Sequence, residues 1–96
     1  MNQAIPDSLS AAFELLGRRQ ALRVLWELGD GPLGFRELQR LSDTSSSVLS
    51  QRLRDLSDNG LVESKHAQWQ LTRQGNSLIT TLEGLPAWSK RWARSL

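Results

Sequence analysis

The 96-residue chain contains no cysteine, no tyrosine and a single histidine, and these shortages exclude several kinds of site. Without cysteine there is no disulfide, no thiolate zinc site and no thiol redox sensor. The lone histidine, His66, is too little for a catalytic or metal-binding cluster. We therefore expect neither a metal ion nor any other cofactor.

Long apolar segments are missing as well. No hydrophobic run approaches the roughly 18 residues that indicate a transmembrane helix. The first ten residues lack the basic and apolar regions of a signal peptide. We therefore expect no membrane association and a cytoplasmic location.

The sequence also lacks the motifs of enzymes. It has no glycine-rich phosphate loop, no His-x-x-x-His motif and no pair of acids in a recognisable setting. The serines at positions 45–47 have no histidine nearby in the sequence, so helix capping explains them better than nucleophilic catalysis. We predict that the protein is not an enzyme.

The composition that remains is that of a globular protein, with 39% hydrophobic and 23% charged residues. The length predicts one domain, over residues 1–96. A net charge of +2 permits nucleic-acid binding without requiring it. So short a chain buries only a modest core, which a second copy would enlarge.

Apolar residues recur at helical spacing through most of the chain. The clearest stripe is formed by Leu49, Leu53 and Leu56. The segment 18–28 is apolar around most of its circumference, Leu22 included, and should be buried on more than one side. Helices are predicted over residues 7–16, 18–28, 35–41 and 47–58, and from 73 onward with a restart at Gly84 and Pro86.

Capping and β-forming residues complete the prediction. Asp7 or Ser8 can cap the first helix and Thr72 the last helical region. Two short strands are predicted over 61–65 and 68–71, joined by a tight turn at His66-Ala67 that lacks the usual Asn-Gly chemistry and leaves the register open. The order predicts a mainly α fold with a small β-hairpin wing, a winged helix-turn-helix whose helix-turn-helix and wing span 35–72.

An ordered set of short motifs supports this fold. The stretch from Phe13 to Trp88 resembles the HxlR-type winged helix-turn-helix transcription factors, which are relatives of the MarR group. The resemblance implies a DNA-binding regulator that dimerises through its terminal helices. The matching pieces lie at residues 15–28, 31–38, 45–56, 59–62, 71–75 and 87–88.

Helix geometry indicates which side of the helix at 47–58 would face DNA. At about 100° per residue, its polar residues lie opposite the leucine stripe. Gln51 is suited to pair with adenine, and Arg54 with guanine or a phosphate, while the serines and free N–H groups of the first turn suit phosphates. The candidate DNA-contact residues are Arg36, Arg40, Ser45, Ser46, Ser47, Ser50, Gln51, Arg54, Lys65 and His66.

The terminal segments carry more apolar residues than one small core readily covers. We therefore predict that helices at 7–16 and 73–96 form a dimer interface, as the resemblance also implies. The alternative is that these residues complete the core of a single chain. The predicted interface residues are Leu9, Phe13, Leu16, Leu82, Leu85, Trp88 and Trp92.

Together these features predict a sequence-specific regulator that binds double-stranded DNA, a repressor that acts as a homodimer on a pseudo-palindromic operator. The alternative is a protein-interaction module of the same fold. It is favoured by the short wing and by the near balance of charge between residues 36 and 73, where Arg36, Arg40, Arg52, Arg54, Lys65 and Arg73 face Glu37, Asp43, Asp55, Asp58 and Glu63. A third hypothesis adds a small apolar effector, of unknown identity, bound near Trp26 or Trp88.

Overall fold

The computed structural model describes residues 4–96, so the first three residues of the predicted domain lie outside the described part. Its elements are α1 (Asp7–Leu16), α2 (Ala21–Glu27) with a following 3-10 turn (Leu28–Asp30), α3 (Phe35–Ser42), α4 (Ser46–Asp58), β1 (Val62–Lys65), β2 (Gln68–Leu71), α5 (Arg73–Thr81) and α6 (Leu85–Ser95). The two strands form an antiparallel hairpin. The predicted mainly α fold with a β-hairpin wing is confirmed. Between residues 4 and 96, no helix has the length and apolarity needed to cross a membrane.

The core is built around α2 and α4. The predicted stripe of α4 is confirmed, because Leu49, Leu53 and Leu56 are all at most 2% exposed. Burying a leucine side chain fully stabilises a fold by about 1.5–3 kcal/mol. The other buried apolar residues are Ala21, Val24, Leu25, Leu28, Leu38, Val62 and Leu71.

The second helix begins later than the sequence pattern suggested. Residues 17–20 form a tight turn in which the Ala21 amide donates to the Arg18 carbonyl, and Gln20 has a left-handed backbone with φ of 68°. The helix therefore starts at Ala21 instead of 18. The expectation of burial on more than one side is wrong for Leu22, which remains 39% exposed.

Capping is confirmed at two of the three predicted helix starts, and among the serines at 45–47 the capping residue is Ser45. The Ser45 hydroxyl accepts from the Val48 amide, and the Thr72 hydroxyl accepts from the Gly75 amide, each at 3.2 Å. The prediction for α1 is wrong, because Pro6 is its N-cap and no side chain in the described part of the chain caps it. Asp7 and Ser8 already lie within the first turn of that helix.

The hairpin has the tight turn that was predicted, and the structure fixes its register. Val62 pairs with Leu71 and Lys65 with Gln68, so the turn consists of His66 and Ala67. Both turn residues are left-handed, with φ of 53° and 62°, which matches the backbone of a two-residue hairpin turn. The right-handed twist of the strands is thereby accommodated without Asn-Gly.

Trp69 attaches the wing to the body of the protein. Its side chain is half-buried against the core. Its backbone also pairs with Leu33, through hydrogen bonds of 2.8 and 2.9 Å. The segment before α3 thus adds a short bridge to the sheet that no local pattern in the sequence indicates.

The close approach of α5 to the start of the hairpin explains the choice of residues in the segment 71–75, which reads Leu-Thr-Arg-Gln-Gly. A Cβ atom at Gly75 would lie 2.2 Å from the Leu61 carbonyl oxygen, so only glycine fits there without movement of the backbone. The Thr72 amide donates to the same Leu61 oxygen at 3.0 Å. Thr72 and Gly75 therefore fix where α5 leaves the sheet.

Candidate nucleic-acid interface

Every residue predicted to contact DNA is exposed in the structure. The helix-turn-helix is formed by α3 and α4, and the hairpin follows α4 directly. We call the exposed polar residues on the outer side of α4 the reading face; they are Ser46, Ser47, Ser50, Gln51 and Arg54. The leucine stripe holds the opposite side of α4 in the core, so the reading face is presented to solvent by packing.

The first turn of α4 offers unpaired backbone donors. The Ser45 hydroxyl already accepts from Val48 and lies 3.4 Å from the Ser47 hydroxyl, so its main task is capping. The amides of Ser46 and Ser47 precede the hydrogen-bonded part of the helix. Such free amides, together with the helix dipole, favour a phosphate at this end.

Ser50 and Arg54 border a cleft between α4 and the wing. The cleft has a volume of about 450 Å³. Within residues 4–96, Arg54 makes no ion pair, so its guanidinium is available to an external partner. The other lining residues are Phe35, Leu53, Ser57, Asp58 and Trp69.

Gln51 is held in one orientation by its neighbour one turn along the helix. Its Nε2 donates to the Asp55 carboxylate at 3.1 Å. An ionised carboxylate only accepts hydrogen bonds, so the amide nitrogen faces Asp55. Among residues 4–96, the carbonyl oxygen and the second N–H of Gln51 have no hydrogen-bond partner, and these are the acceptor and donor that pairing with adenine uses.

The two predicted arginines of α3 differ in their availability. Arg40 forms a double hydrogen bond with Glu37, at 2.6 and 3.1 Å. This hydrogen bond lowers the pKa of Glu37 and raises the pKa of Arg40. Arg36 makes no ion pair among the described residues, although both arginines border the same cleft of about 290 Å³. Arg36 is therefore the freer cation for a phosphate.

Lys65 and His66 lie at the tip of the hairpin and are exposed. They border neither of the two clefts described above. The structure thus groups Arg36 with Arg40 and Ser50 with Arg54, and places the wing-tip pair apart from both groups.

Sequence reasoning missed a polar cluster on the flank of α4, which we call the Asp55 cluster; it consists of Arg18, Gln51, Arg52 and Asp55. Arg18 Nη1 lies 3.1 Å from Asp55 Oδ1, and Arg52 forms a second ion pair with the same carboxylate. Arg52 Nε also donates to the Arg19 carbonyl at 2.7 Å. The spacings of Gln51 and Arg52 from Asp55 were visible signals for contacts within a helix. The contacts with residues 18 and 19 had no such signal.

The whole helix-turn-helix and wing fall within a known family. Residues 15–96 match the model of the HxlR-like helix-turn-helix family. The chain belongs to the HxlR-like helix-turn-helix family. The resemblance predicted from the motifs is confirmed.

Several relatives of this HxlR-like chain are similar along most of its length. An HTH-type transcriptional regulator of Methanocaldococcus jannaschii is 24% identical, and the alignment covers 83% of this chain and 80% of the relative's length. The HTH-type transcriptional regulator YodB of Bacillus subtilis is 27% identical over 96% of this chain and 89% of its own.

Solved structures agree with the fold. The crystal structure of quinone-bound YodB superposes with a TM-score of 0.82 at 30% identity, covering 90% of this chain and 99% of that chain. A MarR-family transcriptional regulator from Enterococcus faecalis V583 superposes with a TM-score of 0.77 at 28% identity, covering 99% and 94%. The HxlR-like chain is accordingly a winged helix-turn-helix, DNA-binding transcriptional regulator and not an enzyme.

The terminal helices of this HxlR-like chain leave large apolar side chains uncovered. Neither α1 nor α6 contains a buried residue. Leu16 and Leu82 are half-buried, and the other predicted interface residues are exposed by 40–60%: Leu9, Phe13, Leu85, Trp88 and Trp92. We call these exposed residues of α1 and α6 the terminal apolar faces.

Proposed function

We propose that this chain is a homodimeric, cytoplasmic repressor that reads a pseudo-palindromic operator with two copies of α4. The observation that carries the proposal is the pairing of two surfaces on one small domain. One is a polar reading face held outward by a buried leucine stripe, and the other is the pair of terminal apolar faces. Residues 35–72 would form the reading unit, and helices in 7–16 and 73–96 the dimer interface.

The chemistry of the reading face supports a contact with the major groove. Helix α4 enters the groove with its N-terminal half, as recognition helices of this motif do. Gln51 presents a free acceptor and donor to an adenine edge, and Arg54 reaches guanine or a phosphate. The amides of Ser46 and Ser47, with Arg36, contact the backbone phosphates and set the register.

The terminal apolar faces support a second copy as the dimer partner. Trp88 and Trp92 stack in parallel with ring centroids 5.6 Å apart and are half exposed, so together they form a large apolar plate. Charge favours an arrangement of α1 against α6 of the other copy. Helix α1 carries Asp7 and Glu14 and no base, whereas α6 carries Lys90, Arg91 and Arg94 and no acid.

Dimerisation also compensates for the small number of free cations in residues 35–72. Because Arg40 and Arg52 are paired with acids of the same chain, a single copy has few free cations for phosphates. Affinity for DNA depends on the number of phosphates neutralised, and two copies double that number. Two reading faces bind two half-sites about one helical turn apart, which gives the operator its two-fold pattern. Repression then follows from occupancy of the operator.

The test is selection of fragmented source-genome DNA on the purified protein, followed by sequencing. We expect an enriched inverted repeat whose binding weakens steeply as salt rises. The variant Gln51→Ala with Arg54→Ala should lose the enrichment. The matched control, Arg73→Ala with Gln74→Ala, removes the same two side-chain types from exposed positions of α5 and should keep it.

Two results would count against the proposal. A flat profile from folded protein would favour the protein-interaction module, which pull-down of partners would then examine. Unchanged operator binding by the folded Gln51 and Arg54 double variant would show that DNA binds elsewhere on the chain.

A further inference from the structure

The Asp55 cluster joins two parts of the molecule that have separate tasks. Asp55 lies on α4, the proposed recognition helix, while Arg18 lies in the turn that connects α1 to α2. Arg52 contacts both sides at once, since it pairs with Asp55 and donates to the Arg19 carbonyl at 2.7 Å. The recognition helix is thus fastened to the end of a helix whose outer side is one of the terminal apolar faces.

The turn between α1 and α2 is short and is hydrogen-bonded to both helices, since the Arg18 amide donates to the Leu15 carbonyl and the Ala21 amide to the Arg18 carbonyl. A Cβ atom at Gly17 would lie 2.8 Å from the Phe13 carbonyl oxygen, so the chain leaves α1 in close contact with its own last turn. Gln20 adopts a left-handed backbone without being glycine. Arg18 and Arg19 are therefore joined directly to the end of α1.

Within residues 4–96, the ion pair of Asp55 with Arg52 is the best shielded, while Arg18 is itself 47% exposed. The side chains of Asp55 and Arg52 are 11% and 17% exposed, compared with 49% and 68% for Glu37 and Arg40. Partial burial reduces the screening that makes surface ion pairs weak. The hydrogen bonds from Gln51, Arg52 and Arg18 are sufficient to lower the pKa of Asp55 even though burial alone raises it. Asp55 thus stays ionised at neutral pH and keeps both arginines attached.

We infer that Asp55, held between Arg18 and Arg52, is the positioning residue that couples helix α1 to recognition helix α4 and thereby fixes the spacing of the two half-sites. The inference rests on the proposed homodimer, because spacing exists only where two reading faces are held together. Asp55 also orients the Gln51 amide, so one carboxylate sets both where the recognition helix sits and how its base-reading side chain points.

The test is the variant Arg18→Met, which keeps the aliphatic stem but removes the ion pair from the turn side. Arg18 is 47% exposed, and its replacement leaves the contacts of Asp55 with Gln51 and Arg52 in place. Arg23→Met is the control, because Arg23 is 52% exposed, has one ion pair, with Glu27 on α2, and also donates to the Leu41 carbonyl of α3 at 2.9 Å, so it too joins two elements but does not contact Asp55. Arg18→Lys keeps a charged donor for Asp55 and should behave as the wild type.

The readout uses duplexes that carry two inverted copies of the half-site selected by the wild type, separated by a variable number of base pairs. We expect the wild type, Arg23→Met and Arg18→Lys to prefer one spacing. Arg18→Met should bind that spacing about fivefold more weakly, the value of one ion pair, and should accept neighbouring spacings almost equally. Its binding to an isolated half-site should be unchanged.

The outcomes separate the inference from the function on which it rests. If the wild type selects no inverted repeat, the proposed function fails and the inference with it. If the wild type prefers one spacing and Arg18→Met shows the same preference, only the inference is overturned. If Arg18→Met has a lower melting temperature but the same preference for half-site spacing, the cluster only stabilises the fold and the inference is likewise overturned.

Discussion

Helices α4 and α6 use the same apolar spacing for opposite purposes. In α4, Leu49, Leu53 and Leu56 are at most 2% exposed and form the centre of the core. In α6, Trp88 and Trp92 recur one turn apart in a similar way, yet they are 50% and 52% exposed. The comparison teaches that periodicity identifies an apolar face but not what covers it. The apolar face of α4 is covered by the rest of its own chain, and we propose that the apolar face of α6 is covered by a second chain.

The largest expected effect is on stability, and it comes from truncating a buried leucine of α4. Leu53→Ala removes a side chain that is 2% exposed and should lower the free energy of unfolding by about 2–5 kcal/mol, through lost burial and a cavity. Leu22→Ala, at a position 39% exposed, is the control and should cost much less. Urea unfolding at constant pH measures both. Equal losses for the two variants would contradict the assigned core.

The next largest effect is on dimer dissociation, and it comes from truncating the exposed tryptophans of α6. Trp88→Ala with Trp92→Ala should raise the dimer dissociation constant about 30-fold or more, because large aromatic residues in the centre of an interface dominate its affinity. Sedimentation at a series of concentrations measures this change. The unfolding free energy of the separated chains should alter little. A double variant that stays dimeric but unfolds as easily as Leu53→Ala would place the two tryptophans in the core of the single chain instead.

The smallest effect concerns the contact between α4 and the turn that follows α1. The pKa of Asp55 is lowered in the folded protein, so its contribution to stability is complete above the unfolded value of about 3.9 and is lost as pH falls through the folded pKa. Asp55→Asn should therefore flatten the loss of stability below about pH 4.

Urea unfolding between about pH 6 and pH 2 measures that flattening. Glu37→Gln is the comparison variant, since the pKa of Glu37 is also lowered, by its hydrogen bond with Arg40. Because the pair of Glu37 and Arg40 is largely exposed, its change should be smaller. If the free energy of unfolding falls with decreasing pH in the same way for the wild type and for Asp55→Asn, the cluster is not formed in solution.

Local rules were sufficient for most of the fold. The leucine stripe, capping by the serines at 45–47, the cap at Thr72 and the turn at His66-Ala67 were all predicted, because each depends on residues close in sequence. The α1 cap failed for a local reason too, because the helix starts one residue earlier than a cap at Asp7 requires.

What escaped prediction depends on residues distant in the chain. The bridge between Leu33 and Trp69 and the ion pair between Arg18 and Asp55 form only after the helices have packed. No spacing within a helix or strand encodes either contact. The residues of the reading face and of the terminal apolar faces were predicted as exposed or apolar sets, but their action on DNA and on a second chain stays a prediction.

The turn at the hairpin tip has a consequence for how regulators of this shape diversify. His66 and Ala67 carry side chains in a backbone that L-residues adopt at a cost of about 1–2 kcal/mol each. Below them, the cross-strand pairs from Lys65–Gln68 to Val62–Leu71 and the bridge to Leu33 hold the register independently of the tip. An insertion between His66 and Ala67 would relieve the strain and leave that register untouched. The wing can thus be lengthened at its tip, by evolution or by engineering, to add phosphate contacts without moving the reading face.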